Sequence, residues 1–243
     1  MTTCAIIPVY NHGAAIAAVV DAVKSGGLPC LLVDDGSEPG CAAVLDGLAG
    51  REGVTLLRLP QNEGKGGAMM AGFRAALQQG YSHALQIDAD GQHDASDIPR
   101  FLEQSAAAPD SVICGCPVYD DSVPKARLYG RYVTHVWVWI NTLSFDIRDS
   151  MCGFRLYPLA PTVALIDSEY IGRRMDFDTE IIVRLYWRGM RVLNQPTRVT
   201  YPSDGISHFR ALADNVLISR MHARLFFGML MRSPLLLWRK WSS

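Results

Sequence analysis

Two aspartates separated by one residue, Asp88 and Asp90, directly follow the apolar run Ala84-Leu-Gln-Ile87. Carboxylates at this spacing can share one divalent cation, or one can hold it directly and the other through water. Such hard oxygen ligands suit Mg2+ or Mn2+. A cation held there would neutralise a diphosphate leaving group, and Gln92 or His93 could complete its shell. The same Asp-Gly step also makes an ordinary solvated turn. A second acidic pair, Asp34-Asp35, follows the apolar run Cys30-Leu-Leu-Val33 and precedes Gly36-Ser37. Buried carboxylates there need N–H or hydroxyl partners, which a nucleobase or ribose can supply. Ser37 suits a helix N-cap as well.

Three further groups complete the set. Asn62-Glu63-Gly64-Lys65-Gly66-Gly67 opens a helical stretch, where free N–H groups and the Lys65 charge could receive an anion. It is not a Walker A loop, because no Ser or Thr follows the lysine. Asp176, Asp178 and Glu180 open another helical stretch and are candidates for a general base. They also suit an acidic first turn. Arg127 and Arg131 could close over phosphates, or serve as solvated surface charges.

These residues need a scaffold that brings strand ends together. Strand-like and helix-like segments alternate through the first half, as expected of parallel βα units. Strands are expected at 4–9, 30–33, 54–59, 84–87, 111–114 and 191–200. Helices are expected at 14–25, 41–48, 64–79, 98–106, 127–145, 178–188 and 211–231. Segments 117–124, 149–158 and 201–210 read as irregular. In an open α/β sheet, ligands bind beyond the carboxyl ends of the strands. Tyr10-Asn11, Asp34-Asp35 and Asp88-Ala89-Asp90 fall at three such ends, which describes a pocket.

The bulk composition agrees with a packed enzyme core. The 243 residues are 49% hydrophobic and 19% charged, with a formal net charge of -1, which gives a nucleic-acid partner no global support. The six cysteines form no CxxC pair and no zinc spacing. No basic, apolar leader opens the chain, so the thiols are expected to be reduced and the compartment cytoplasmic.

The motifs occur in an order that resembles family 2 glycosyltransferases of the GT-A fold, in particular the dolichyl/polyprenyl-phosphate mannosyltransferase-like branch. They are Ile7-Pro8-Val9-Tyr10-Asn11, Val33-Asp34-Asp35-Gly36-Ser37, Asn62-Glu63-Gly64-Lys65-Gly66 and Asp88-Ala89-Asp90-Gly91-Gln92. Cys152-Gly153-Phe154-Arg155-Leu156-Tyr157 and Phe177-Asp178-Thr179-Glu180 extend the match. The resemblance implies a mostly parallel central sheet flanked by helices, with a nucleotide-binding half and an acceptor half. It implies that Pro8, Tyr10, Asn11, Asp34 and Asp35 line the nucleoside pocket. Asp88 is implied on the ribose or metal side, and Asp90 with Gln92 at the metal and diphosphate. The implied reaction is inverting transfer of a sugar from a UDP- or GDP-linked donor. A hydroxyl acceptor would need a base, while a phosphate acceptor would not. The branch's late Arg-x-x-Gly-x-Ser-Lys is replaced here by Pro202-Ser-Asp-Gly205-Ile-Ser207-His208, so His208 or Arg210 would supply the positive charge. The missing arginine leaves a nucleotide-sugar-binding scaffold of the same fold as the alternative.

Residues 1–210 read as the catalytic domain and 211–243 as a separate tail. The tail sets Arg210, Arg220, Arg224, Arg232, Arg239 and Lys240 against Asp214. Arg220, Arg224 and Arg232 recur at multiples of four and so form one helical stripe. With Phe226, Phe227, Trp238 and Trp241, this predicts a helix lying on the cytoplasmic face of a membrane, near a lipid-linked or amphiphilic acceptor.

Overall fold

The structure is a computed structural model. It describes residues 1–118, 125–200 and 211–241, and the side chains of all of these except 125–128 and 211. A seven-stranded sheet runs in the order β3-β2-β1-β4-β6-β5-β7. Its strands are β1 (Thr3–Val9), β2 (Cys30–Asp34), β3 (Val54–Arg58), β4 (His83–Gln86), β5 (Val112–Val118), β6 (Arg155–Pro158) and β7 (Val192–Arg198). All neighbours pair in parallel except β6, which lies antiparallel between β4 and β5. The helices are α1 (Ile16–Ser25), α2 (Pro39–Ala49), α3 (Lys65–Gln78), α4 (Ile98–Ala107), α5 (Lys125–Thr142), α6 (Leu159–Ser168), α7 (Phe177–Trp187) and α8 (Ala211–Trp241).

Period-two alternation sorts the strand side chains into two cores. Cys4 and Ile6 of β1 join Met69 and Phe73 of α3, Leu165 of α6, Ile181 of α7 and Leu225 of α8. Ala5, Ile7 and Val9 face the other way, onto Val20 of α1, Leu45 of α2 and Phe101 of α4. Buried on both faces, β1 and β2 read as continuous apolar runs rather than alternating ones.

Four features depart from the sequence reading. β6 forms inside the segment expected to be irregular, because its pairing comes from its neighbours rather than from a pattern of its own. α6 follows it where no element was expected. β5 continues through Pro117 to Val118, paired to β7. α8 runs past Met231 to Trp241 despite Pro234. A proline in mid-helix leaves the carbonyl four residues back without its N–H partner. Here the Ser233 hydroxyl donates to that carbonyl, Leu230 O, at 2.9 Å.

α8 is docked on the core by Met221, Leu225, Met229 and Leu236. Of its arginines Arg220 is exposed, while two others find partners on the protein. Arg224 turns inward to Glu180 (2.7 Å) and lies over the Tyr170 ring, while Arg232 lies over the Trp187 ring. α5 inverts the usual pattern of an amphipathic helix. Among the described residues its large exposed side chains are Tyr129, Tyr132, Val133, Val136, Trp137 and Ile140, while its inward side buries Thr134, His135, Asn141 and Thr142 around Val138. Trp137 stacks on His222 of α8 and meets Phe226 edge-on, so the two helices share one apolar outer face.

Close approach of α3 to β1 fixes the strand end that carries the site. A Cβ at Gly72 would come within 2.6 Å of Ile6 Cγ2 and 3.1 Å of Val33 Cγ2. Gly72→Ala is expected to lower stability by about 1–3 kcal/mol through overpacking, measured as a shift in urea midpoint with the m-value unchanged.

Candidate active site

Each acidic pair sits where its strand ends, and each is held by backbone N–H groups. Asp34, buried at the end of β2, accepts from the Ser37 amide (2.9 Å) and from Arg58 Nε (2.8 Å). Burial opposes its charge, but these donors outweigh burial and hold its pKa below the ordinary value. Asp35 accepts from the amides of Glu63 (2.7 Å) and Gly64 (2.9 Å). Burial dominates there and pushes its pKa up. These two amides precede α3, so the anion they receive is the protein's own Asp35 carboxylate. Gly36 has φ +72°, and a Cβ on it would meet the Asn62 backbone at 2.7 Å, which requires glycine.

Asn11 adopts the left-handed region with φ +58°. Its amide donates to Ser37 Oγ (3.2 Å), and its side-chain oxygen accepts from the Glu38 amide (2.8 Å). Pro8 is buried and Tyr10 half-buried beside it. The first two strand ends therefore close into one unit.

Beyond β4 lies the charged centre. Lys65 Nζ stands 2.8 Å from Asp88 Oδ1, 3.0 Å from Asp88 Oδ2 and 2.8 Å from Asp178 Oδ2. Burial disfavours the ammonium, yet Asp178 and Asp88 together hold its pKa above the ordinary value. Asp88 is kept ionised against burial by Lys65 and then by His93, whose Nε2 lies 3.6 Å from Oδ2. The other oxygen of Asp178 accepts from Gln86 Nε2 at 2.8 Å. Arg155, on β6 and fully buried, donates to the Asp178 main-chain oxygen at 2.5 Å. Its Nε and Nη2 have no hydrogen-bond partner among the described residues.

Among the described residues, the Lys65 and Arg155 charges thus stand against those of Asp88 and Asp178, and no cation pairs with Asp90. Asp90 Oδ1 accepts from the Gln92 amide in a tight turn. Burial, and next the nearby Asp88 charge, push the Asp90 pKa up. A dication beside Asp90 would relieve both effects, so the oxygen donors fit Mg2+ or Mn2+. Among the described residues no three His, Cys, Asp or Glu gather into a closed metal cage. That suits an open site whose remaining ligands come from a substrate. The turn is fastened from outside: Thr200 donates its N–H to Gln92 O, and His93 bridges to Val199.

The other expected residues fall differently. Glu180 is fully buried and takes donors from Arg184, Arg224 and the Gly172 amide, which ties α7 to α8. Asp176 is buried and accepts from the Arg174 amide. Arg131 is held by Asp149, through Nε at 2.5 Å and Nη2 at 2.9 Å. The Arg127 side chain, Pro202, His208 and Arg210 lie outside the described residues.

Gln86, Asp149, Gly153 and Arg155 were not singled out as site residues from sequence. Gln86 carried a signal, as a polar residue inside an apolar strand. Gly153 supplies the floor: any Cβ there would overlap the Asp88 carboxylate. Asp149 accepts from the Met151 and Cys152 amides at 2.8 Å and so shapes the loop that delivers Gly153.

Residues 4–173 match the family model described as Glycosyl transferase family 2. The undecaprenyl-phosphate mannosyltransferase of Micrococcus luteus is 30% identical over 81% of this chain and 82% of its own length. The polyprenol monophosphomannose synthase of Mycolicibacterium smegmatis is 28% identical over 84% of this chain and 80% of its own length. Among solved structures, glucosyl-3-phosphoglycerate synthase from Mycobacterium tuberculosis, in complex with Mn2+ and UDP-glucose, superposes with a TM-score of 0.68. It shares 13% identity and covers 94% of this chain and 78% of that one, which places the present fold among the GT-A structures.

Asp149 predicts a pH response. Burial raises its pKa, but His135 and Arg131 outweigh burial and hold it well below the carboxylate range. A depressed folded pKa gives stability above the unfolded value of about 3.9 that is lost as pH falls toward the folded value. Asp149→Asn is therefore expected to be less stable at pH 7. From pH 4 downward its urea midpoint should fall less steeply than that of the wild type.

Proposed function

This chain belongs to glycosyl transferase family 2, in the branch of the polyprenyl-phosphate sugar transferases, and we propose that it moves a sugar from a nucleotide-sugar onto a polyprenyl phosphate at a membrane surface. The observation that carries this reading is the position of Asp90. Among the described residues it is the one carboxylate of the charged centre without a cationic partner, and it stands beside Asp88 at the carboxyl end of β4.

In this reading Asp90, with Asp88 and Gln92, holds Mg2+ or Mn2+. When bound, that cation neutralises the departing nucleoside diphosphate. Pro8, Tyr10, Asn11, Asp34 and Asp35 frame a UDP or GDP base and ribose. Both acids keep acceptor capacity beyond the amides that fix them. Lys65 adds positive charge on the diphosphate side. A phosphate acceptor is already ionised, so the attack on the anomeric carbon, with inversion, needs no general base. This agrees with the partners already taken up by the three candidate bases. Asp178 then acts as a positioning residue that aims Lys65, and Asp176 and Glu180 hold the start of α7. Rate enhancement rests on alignment of the two substrates and on charge neutralisation.

The membrane part of the reading rests on the shared outer face of α5 and α8. Among the described residues no helix is long and apolar enough to cross a membrane. The exposed Tyr132, Val133, Val136, Phe227, Leu230 and Trp238 instead suit a bilayer interface, with aromatic rings at headgroup depth. We place that bilayer at the cytoplasmic face. A polyprenyl chain would remain in the lipid while its phosphate entered the site.

Asp90→Asn should cut sugar transfer to polyprenyl phosphate by about a hundred-fold or more. Its melting temperature should not fall, because the substitution removes an unfavourable buried charge. Unchanged turnover in this variant would overturn the assignment. Val136→Glu combined with Phe227→Glu should weaken co-sedimentation with anionic liposomes by roughly ten-fold while leaving the thermal melt unchanged.

A further inference from the structure

We propose that Lys65 is an internal counter-ion that guards Asp88 against a divalent cation until a diphosphate arrives, so that metal and nucleotide enter the site together. The inference rests on the glycosyltransferase reading above and adds an order of assembly to it. Both oxygens of Asp88 face the Lys65 ammonium, at 2.8 and 3.0 Å. A dication on either oxygen would lie within a few ångströms of a fixed positive charge. Among the described residues only Asp90 then offers the metal a carboxylate free of a cation, and one carboxylate is a weak site for an ion that sheds its water reluctantly.

A nucleoside diphosphate changes this balance by offering Lys65 a stronger partner. The ammonium is able to move while the scaffold is not. Lys65 is the first residue of α3, its side chain is 20% exposed, and its flexible stem can swing without moving the helix. The backbone on either side is fixed. A Cβ at Gly64 would lie 2.6 Å from Arg173 O, and one at Gly66 would lie 2.6 Å from Gly172 O. Asp178, pinned by Gln86 and Arg155, remains in place to receive the ammonium again after product leaves. By linkage, a nucleotide that draws Lys65 away from Asp88 raises metal affinity by the same factor as the metal raises nucleotide affinity.

The test measures Mn2+ uptake by the full chain from the electron paramagnetic resonance signal of free Mn2+, alone and with UDP or GDP. The wild type should bind Mn2+ weakly alone and roughly ten-fold tighter with the matching nucleotide. Lys65→Met should bind Mn2+ without nucleotide roughly ten-fold tighter than the wild type and lose most of the nucleotide enhancement. Lys65→Gln keeps a hydrogen-bonding head and should behave the same way, which covers a folding defect in the methionine variant. Nucleotide-free binding in both variants no tighter than wild type, with wild-type uptake still enhanced by nucleotide, would overturn the counter-ion role alone. Absence of Mn2+ uptake by every form, with and without nucleotide, would overturn the metal reading as well.

Discussion

The ammonium of Lys65 stands between two carboxylates delivered by different parts of the chain, Asp88 beyond β4 and Asp178 in α7. Two carboxylates, each about 3 Å or less from one ammonium in a partly desolvated pocket, interact with it far more strongly than they would in water. The surrounding architecture serves to hold them there. Gln86 and Arg155 fix Asp178, Gly153 leaves room for Asp88, and the flattened contacts of Gly64 and Gly66 set the origin of Lys65. Arg155 also supplies a second positive charge from within the sheet, without a carboxylate partner of its own among the described residues. Among the described residues, the balance leaves Asp90 as the acid of this centre without a cation beside it.

A second theme is the use of acids to hold backbone. Asp34, Asp35 and Asp149 each receive main-chain amides of a loop that borders the site, which turns those loops into rigid walls. Rigidity is what alignment of two substrates needs. It also explains why Asp35 occupies the amides ahead of α3 that could have received a phosphate. Asp149 further joins Arg131 of the outward-facing α5 to the loop carrying Gly153, so the helix with the apolar face and the floor of the charged centre are one mechanical unit.

The outer face of α5 and α8 shows how charge and hydrophobicity can trade places. Read along the sequence, the arginines of the last helix looked like the feature presented to a membrane. In three dimensions Arg224 and Arg232 serve the protein, bound to Glu180 and laid on Trp187, while the aliphatic and aromatic residues point outward. Helical periodicity gives the angle between side chains but not which angle faces the core. Long arginines can also reach back along the surface to find a carboxylate.

The sequence by itself determined the parallel βα framework, the strand ends at Asn11, Asp35 and Asp88, and the family. These follow from local patterns: apolar runs of strand length, glycines at turns, and acids directly after them. Only the tertiary structure decided that β6 enters antiparallel between β4 and β5, that Glu180 is buried against Arg184 and Arg224, and that Lys65 and Asp178, far apart in sequence, meet at Asp88. Pairing of a four-residue strand and partnering of a buried charge are set by what lies opposite in space, and spacing along the chain carries no record of that.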